Sequence, residues 1–290
     1  LNKIFFSIII SLIYLIKNRP KMVFGVGGYS SFPVCVASYL LRIPIIIYEN
    51  NLILGRANRA LIPLANKILL SSENTLGIKK KYEEKIFITG YLLRKEIFEL
   101  KKENKNNSEN ELSILIMGGS QSAKVFGEKI TETIIECYKN NIRPKIYQQC
   151  LDEQMKDIGE IYKKYKVNFK LFSFSEKLSD YYLKSDLAIS RAGASSISEL
   201  INLRIPFIAI PLPSSADNHQ FKNALNFKKK GYCFLLEEKM ILPKLFEILK
   251  DLNNNREKLL LYKKKMSEHS DKDSLSKVTR FIENFLNEKN

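Results

Sequence analysis

The chain has no tryptophan and only two histidines, His219 and His269, in 290 residues. Metal chemistry built on imidazole therefore lacks its usual donors. The four cysteines (Cys35, Cys137, Cys150 and Cys233) stand far apart with no C-x-x-C pair. That spacing excludes a zinc knuckle and a disulfide scaffold, and reads as thiols in a reducing compartment. There is no Cys/His finger spacing and no aromatic ribonucleoprotein pattern, so no nucleic-acid partner is expected. The one D-x-D, Asp271-Lys272-Asp273, lies in a lysine-rich stretch before the last helical segment and is rejected as a metal site. We expect no metal and no cofactor.

Long hydrophobic runs are also missing. "IFFSIIISLIYLI" (4–16) falls short of the roughly 20 residues that span a bilayer, and no small-residue cleavage site follows it. It reads as a helix, either packed into a core or seated on a membrane surface. Acidic residues are the scarcer sign: 31 against 47 Lys and Arg, a net charge of +16. Such an excess suits an anionic membrane, phosphorylated substrates or nucleic acid; it also fits a lysine-rich genome.

What is present is a repeated unit. "MVFGVGGYSSFPVCVASYL" (22–40) and "LSILIMGGSQSAKVFGEKI" (112–130) each run from an apolar strand through Gly-Gly into a helix. Apolar segments of strand length follow at 43–50, 65–72 and 85–91, then at 143–150, 167–174, 187–193 and 206–212. Strands alternating with helices imply parallel sheets, with ligands at the carboxyl ends of the strands. The polar stretch at 100–113 reads as a linker. We expect domains at 1–103 and 104–272, and a terminal helix at 273–290 packing back on the first. That helix carries Leu275, Val278, Phe281, Ile282, Phe285 and Leu286 on one face. The lysine-rich segment before it reads as solvated surface.

The candidate site residues cluster where strands end. Glu49, Asn50 and Asn51 close "IYENN"; a carboxylate there suits a general base or a hydroxyl-orienting group, or simply a cap. Gly27-Gly28 and Gly118-Gly119 allow close approach of a ligand or of backbone. Neither completes G-x-G-x-x-G, which counts against a nicotinamide-dependent dehydrogenase. Arg94 of "GYLLR" suits a phosphate or a loop contact. In "SRAGASSISEL" (190–200) a glycine and small residues open a helix, so its amides and dipole can meet a diphosphate. Glu199, one turn in, is placed to accept from ribose hydroxyls; a serine-capped helix with a surface Glu fits the same letters. "ADNHQFKNA" (216–224) adds amide side chains.

Taken together, "GVGGYSSFP", "YENN", "GGSQSAK", "SRAGASSISEL" and "ADNHQFKNA" resemble, in order and spacing, the MurG family of bacterial N-acetylglucosaminyltransferases. The resemblance covers about residue 8 to the end. It implies the GT-B fold, two Rossmann-like α/β domains with parallel sheets and the active site between them. It implies UDP-GlcNAc as donor and undecaprenyl-pyrophosphoryl-MurNAc-pentapeptide (lipid I) as acceptor. It also implies an anionic membrane surface as partner, and a peripheral place on the cytoplasmic face of the inner membrane. By position, donor contacts fall on Asn51, Arg94, Ser120, Ser175, Ala194, Ser195, Ser196, Ile197, Ser198, Glu199 and Gln220, with Glu49 as the catalytic candidate. The chain departs from the family in "YENN" for "HEQN", "GYLLR" for "GNPVR", and Ser175 at a usually apolar position. It lacks the family's first strand and histidine-containing Gly-rich loop, so we expect an incomplete first sheet with exposed apolar surface. Another GT-B glycolipid transferase, and a truncated inactive remnant that binds UDP-sugar without turnover, stand as alternatives.

Overall fold

The computed structural model describes residues 2–100, 111–119, 123–173 and 178–288. Most of the expected linker, together with Ser120 and Ser175, lies outside the described residues. The chain divides into two compact units, residues 1–93 with 271–290, and residues 94–270.

In the first unit α1 (Asn2–Asn18), β1 (Val23–Gly25), α2 (Gly28–Leu40), β2 (Ile45–Glu49), α3 (Arg56–Leu61), β3 (Lys67–Leu70) and β4 (Ile86–Ile88) follow in turn. The four strands are parallel in the order β1-β2-β3-β4. β2, "IIIYE", is buried at all positions, as a strand covered on both faces must be. Alternation sends Ile45 and Ile47 to one core with Leu54, Leu61 and Ile68, and Ile46 and Tyr48 to another with Leu69.

The second unit begins with α4 (Lys95–Glu99), β5 (Ser113–Met117), α5 (Ala123–Val125) and α6 (Thr131–Lys139), the last two joined by a π-helical turn, Phe126–Ile130. β6 (Lys145–Gln149), α7 (Asp152–Lys164), β7 (Phe169–Phe172), α8 (Leu178–Lys184), β8 (Leu187–Ser190) and α9 (Ala194–Asn202) come next. β9 (Phe207–Ala209), α10 (His219–Lys229), β10 (Cys233–Leu235), α11 (Ile241–Asn254) and α12 (Glu257–Met266) complete it. The strand order is β10-β9-β8-β5-β6-β7, all parallel. Counted from β5 this is the 3-2-1-4-5-6 order of dinucleotide-binding sheets. The order reverses between β5 and β8, which opens a crevice at their carboxyl ends.

The final helix, α13 (Ser274–Asn287), returns to the first unit, where Val278 and Phe285 join Ile46, Tyr48 and Leu69. Phe281 stacks on Phe87 at 4.5 Å. Leu275, expected on the same face, is exposed, because the packed face runs through Ser274, Val278, Phe281 and Phe285, one position round the helix. The second unit starts at Arg94, earlier than the expected boundary after residue 103, because α4 packs against α9. β10 was not among the expected strands. In α12, Leu259 and Met266 are buried, so that segment is more than solvated surface.

The "GYLLR" turn is tied down within the first unit. Tyr48 Oη accepts from Leu92 N–H at 3.1 Å, and Tyr91 N–H donates to Asp271 Oδ1 at 3.0 Å. Asp271 of the rejected D-x-D is therefore a buried backbone acceptor. Gly90 sits at φ +88, where a side chain would press on Ser274 Oγ and Asp271 Oδ1. Gly90→Ala should cost about 1–3 kcal/mol of stability, the range for a strained backbone position. Urea denaturation reads this directly, and an unchanged midpoint would contradict the packing described.

Candidate functional site

The crevice of the second sheet is built from two strand ends. β5 closes at Met117, whose register partner is Ser190 of β8. Gly118-Gly119 and Arg191-Ala192-Gly193 thus leave adjacent strands side by side. Gly193 caps α9 in an extended conformation (φ −67, ψ 140) and has no side chain to lay across the first turn. A helix start of this kind favours anions, through its amides and its dipole.

The approach to α9 is fixed by side chains. Gln220 Oε1 accepts from Ala192 N–H at 3.2 Å and from Leu212 N–H at 3.0 Å, and Asn223 Nδ2 donates to Ala192 O at 3.3 Å. Arg191 donates to Ile210 O and Pro211 O, pairs with Glu238, and lies over the Phe126 ring at 4.6 Å. Burial pulls the Arg191 pKa down and Glu238 pulls it back up, so the buried guanidinium keeps its charge. A neighbouring pocket of about 520 Å³ lies among Lys129, Pro211, Phe221 and Glu237–Lys239. Lys239 is paired there with Glu237 at 3.1 Å, and Glu238 adds a second carboxylate, which makes it a poorer anion site than the start of α9.

Within 194–199 the expected contacts separate by helical position. Ser195 is exposed and Ser196 half-buried at the first turn. Ala194, Ile197 and Ser198 turn inward, the last two fully buried. The Ile197 amide is spent on Gly193 O, and the Ser198 hydroxyl on Ala194 O and Ser195 O. Ile197 and Ser198 are thereby core residues by their side chains. Glu199 returns to the open side. Its Oε2 accepts from Tyr182 Oη at 2.7 Å, and its Oε1 lies 3.5 Å from the Arg94 guanidinium. The structure thus brings Arg94 and Glu199 together, and seats Gln220 beside Ala192. Tyr182 and Asn223 were missed.

In the first unit Glu49 is buried, and its carboxylate is occupied on both oxygens. Oε1 accepts from Asn51 N–H and Nδ2, each at 3.0 Å. Oε2 accepts from Gly55 N–H at 2.8 Å and Asn58 Nδ2 at 3.0 Å. A carboxylate has about four acceptor positions, and these donors fill them. The half-buried Asn51 is likewise turned toward Glu49 rather than left as an open amide. The geometry makes Glu49 the anchor of the 49–58 loop and leaves no lone pair for a substrate proton. Among the described residues no group of three His, Cys, Asp or Glu side chains gathers to hold a metal.

Models of glycosyltransferase family 28 match the chain twice, the N-terminal domain at residues 2–70 and the C-terminal domain at 113–279. It is 35% identical over 288 residues to the UDP-N-acetylglucosamine--N-acetylmuramyl-(pentapeptide) pyrophosphoryl-undecaprenol N-acetylglucosamine transferase of Pelagibacter ubique (98% of this chain, 79% of the relative). The chain belongs to glycosyltransferase family 28, and within it to the MurG family. The enzyme of the same name from Rickettsia bellii is 38% identical over 263 residues (86% and 74%). The crystal structure of Acinetobacter baumannii MurG superposes with a TM-score of 0.78 at 25% identity (97% and 80%). The S. aureus MnaA–UDP co-structure, at 14% identity (99% and 81%) and a TM-score of 0.77, shares the fold. This family 28 member therefore has the expected two Rossmann-like parallel sheets.

Glu49→Gln turns one acceptor oxygen into a donor facing donors. It should lose about 1–3 kcal/mol of stability, the cost of unsatisfied buried polar groups. Chemical denaturation checks this; unaltered stability with turnover abolished would restore the general-base role.

Proposed function

We propose that the chain transfers N-acetylglucosamine from UDP-GlcNAc to the undecaprenyl-pyrophosphoryl-MurNAc-pentapeptide acceptor, lipid I, to make lipid II for peptidoglycan. The observation that carries this reading is Glu199, a carboxylate held one turn inside a helix that opens at an uncapped glycine beside the switch point. The activity in the names of its relatives agrees with it. The diphosphate of UDP lies at the start of α9, near Gly193, Ser195 and Ser196, and the ribose hydroxyls donate to Glu199. A ribose taking Oε1 displaces the exposed Arg94 guanidinium, whose charge then serves the phosphates.

The transfer is an inverting displacement. The acceptor sugar hydroxyl forms a bond to the anomeric carbon of GlcNAc while the bond from that carbon to the phosphate oxygen breaks; UDP leaves with the electron pair, and the hydroxyl's proton is released to solvent. The helix-start amides and dipole stabilise the growing diphosphate charge, which lessens the demand for a metal. Glu49 contributes by holding its loop and Asn51 in place.

The membrane seat is α1. Its outward side carries Phe5, Phe6, Ile10, Ile13, Tyr14 and Ile16, all more than half exposed, flanked by exposed Lys3, Lys17, Arg19 and Lys21. An apolar face with basic flanks suits the anionic cytoplasmic leaflet of the inner membrane. No described helix is long and apolar enough to cross a membrane.

Incubation with UDP-GlcNAc and a lipid-linked MurNAc-pentapeptide acceptor should release UDP and yield the disaccharide lipid. Turnover only with a different glycolipid, or UDP binding without any turnover, would overturn the assignment. Replacing Phe5, Phe6 and Ile13 together by Ser should weaken binding to phosphatidylglycerol vesicles by about tenfold or more, given the apolar area withdrawn. Cosedimentation equal to wild type would remove α1 from the membrane contact.

A further inference from the structure

Tyr182, on α8, is 1% exposed and among the largest enclosed side chains, and the transfer chemistry above does not use it. Its one polar atom reaches out of the core to a functional carboxylate, donating to Glu199 Oε2 at 2.7 Å. A glutamate on an open helix surface samples several rotamers, and fixing one costs entropy. Here that cost is met in advance. α8 supplies the donor on one oxygen, and Arg94, the N-cap of α4, supplies the cation on the other. The Glu199 side chain is consequently 14% exposed while Arg94 is 65% exposed. The two contacts differ in kind: the tyrosine bond is enclosed, and the arginine contact is open to displacement.

We propose that Tyr182 is a positioning residue for the nucleotide: it locks Glu199 in the rotamer that accepts both ribose hydroxyls, and so sets the preference for ribo- over deoxyribonucleotides. This rests on the reading of Glu199 as the ribose ligand. Burial raises the Tyr182 pKa well above the ordinary tyrosine value and the Glu199 charge raises it further, so the hydroxyl remains a donor. With Oε2 oriented by this donor, the remaining lone pairs face outward in a fixed arrangement. A vicinal diol fits two such acceptors, and a deoxyribose leaves one of them unpaired.

The test is calorimetry on the full chain with UDP and with 2′-deoxy-UDP, using wild type, Tyr182→Phe, Glu199→Gln and the double variant. Tyr182→Phe keeps the ring, and its melting temperature reports whether the core is intact. It should weaken UDP about tenfold, the scale of one hydrogen bond to a charged acceptor, and leave 2′-deoxy-UDP nearly unchanged. On the Glu199→Gln background it should add no further loss. Wild-type discrimination in Tyr182→Phe, equal losses for both nucleotides, or additive losses in the double variant would each overturn the positioning role alone. Glu199→Gln binding both nucleotides as wild type does would overturn the ribose reading and this proposal together.

Discussion

The backbone of Ala192 is held on both of its polar groups, and the site depends on that constraint. Gln220 takes its N–H and Asn223 gives to its carbonyl, three residues apart on the same face of α10. The same Gln220 oxygen takes the Leu212 amide, so the ends of β8 and β9 are tied to one side chain. Arg191 adds bonds to Ile210 and Pro211 from the other side. Gly193 therefore enters α9 at a fixed angle although it has no side chain of its own to direct it. A helix start can serve as an anion site only when its direction is set in this way, since the useful field is confined to the first turn.

From that fixed entry the helical period distributes the chemistry. Ala194, Ile197, Ser198 and Ile201 follow the i, i+3, i+4, i+7 rhythm into the core and secure α9 against the sheet. Ser195, Ser196 and Glu199 fall on the remaining arc. Glu199 is then trimmed to one geometry by Tyr182 of α8 and Arg94 at the cap of α4, both of which precede it in sequence. The net charge of +16 acts at longer range, where an excess of one sign favours the approach of anions in general.

Much of this could be read from the letters, and the rest fails for identifiable reasons. The strand–Gly-Gly–helix segments and the strand-length apolar runs were legible because buried parallel strands are continuously apolar. β10 was not, since "CFL" is too short to show any period. Ile197 and Ser198 came from carrying over a whole stretch, and the helical rhythm turns their side chains inward. Polar residues at the end of β2 did mark Glu49, but a strand end does not reveal whether a carboxylate faces ligand or its own loop. Tyr182 left no signal at all. Its role is a contact between α8 and α9, and only the packed tertiary structure brings those helices together. The order reversal at β5 and β8 is likewise a property of the sheet, not of any segment within it.

Amide hydrogen exchange across 191–199, with and without UDP, tests the central claim most directly. If the diphosphate occupies the start of α9, adding UDP slows exchange in Gly193–Ser196 more than elsewhere in the second unit. Saturating UDP that leaves those amides exchanging at the unliganded rate, while protecting another segment, would contradict it.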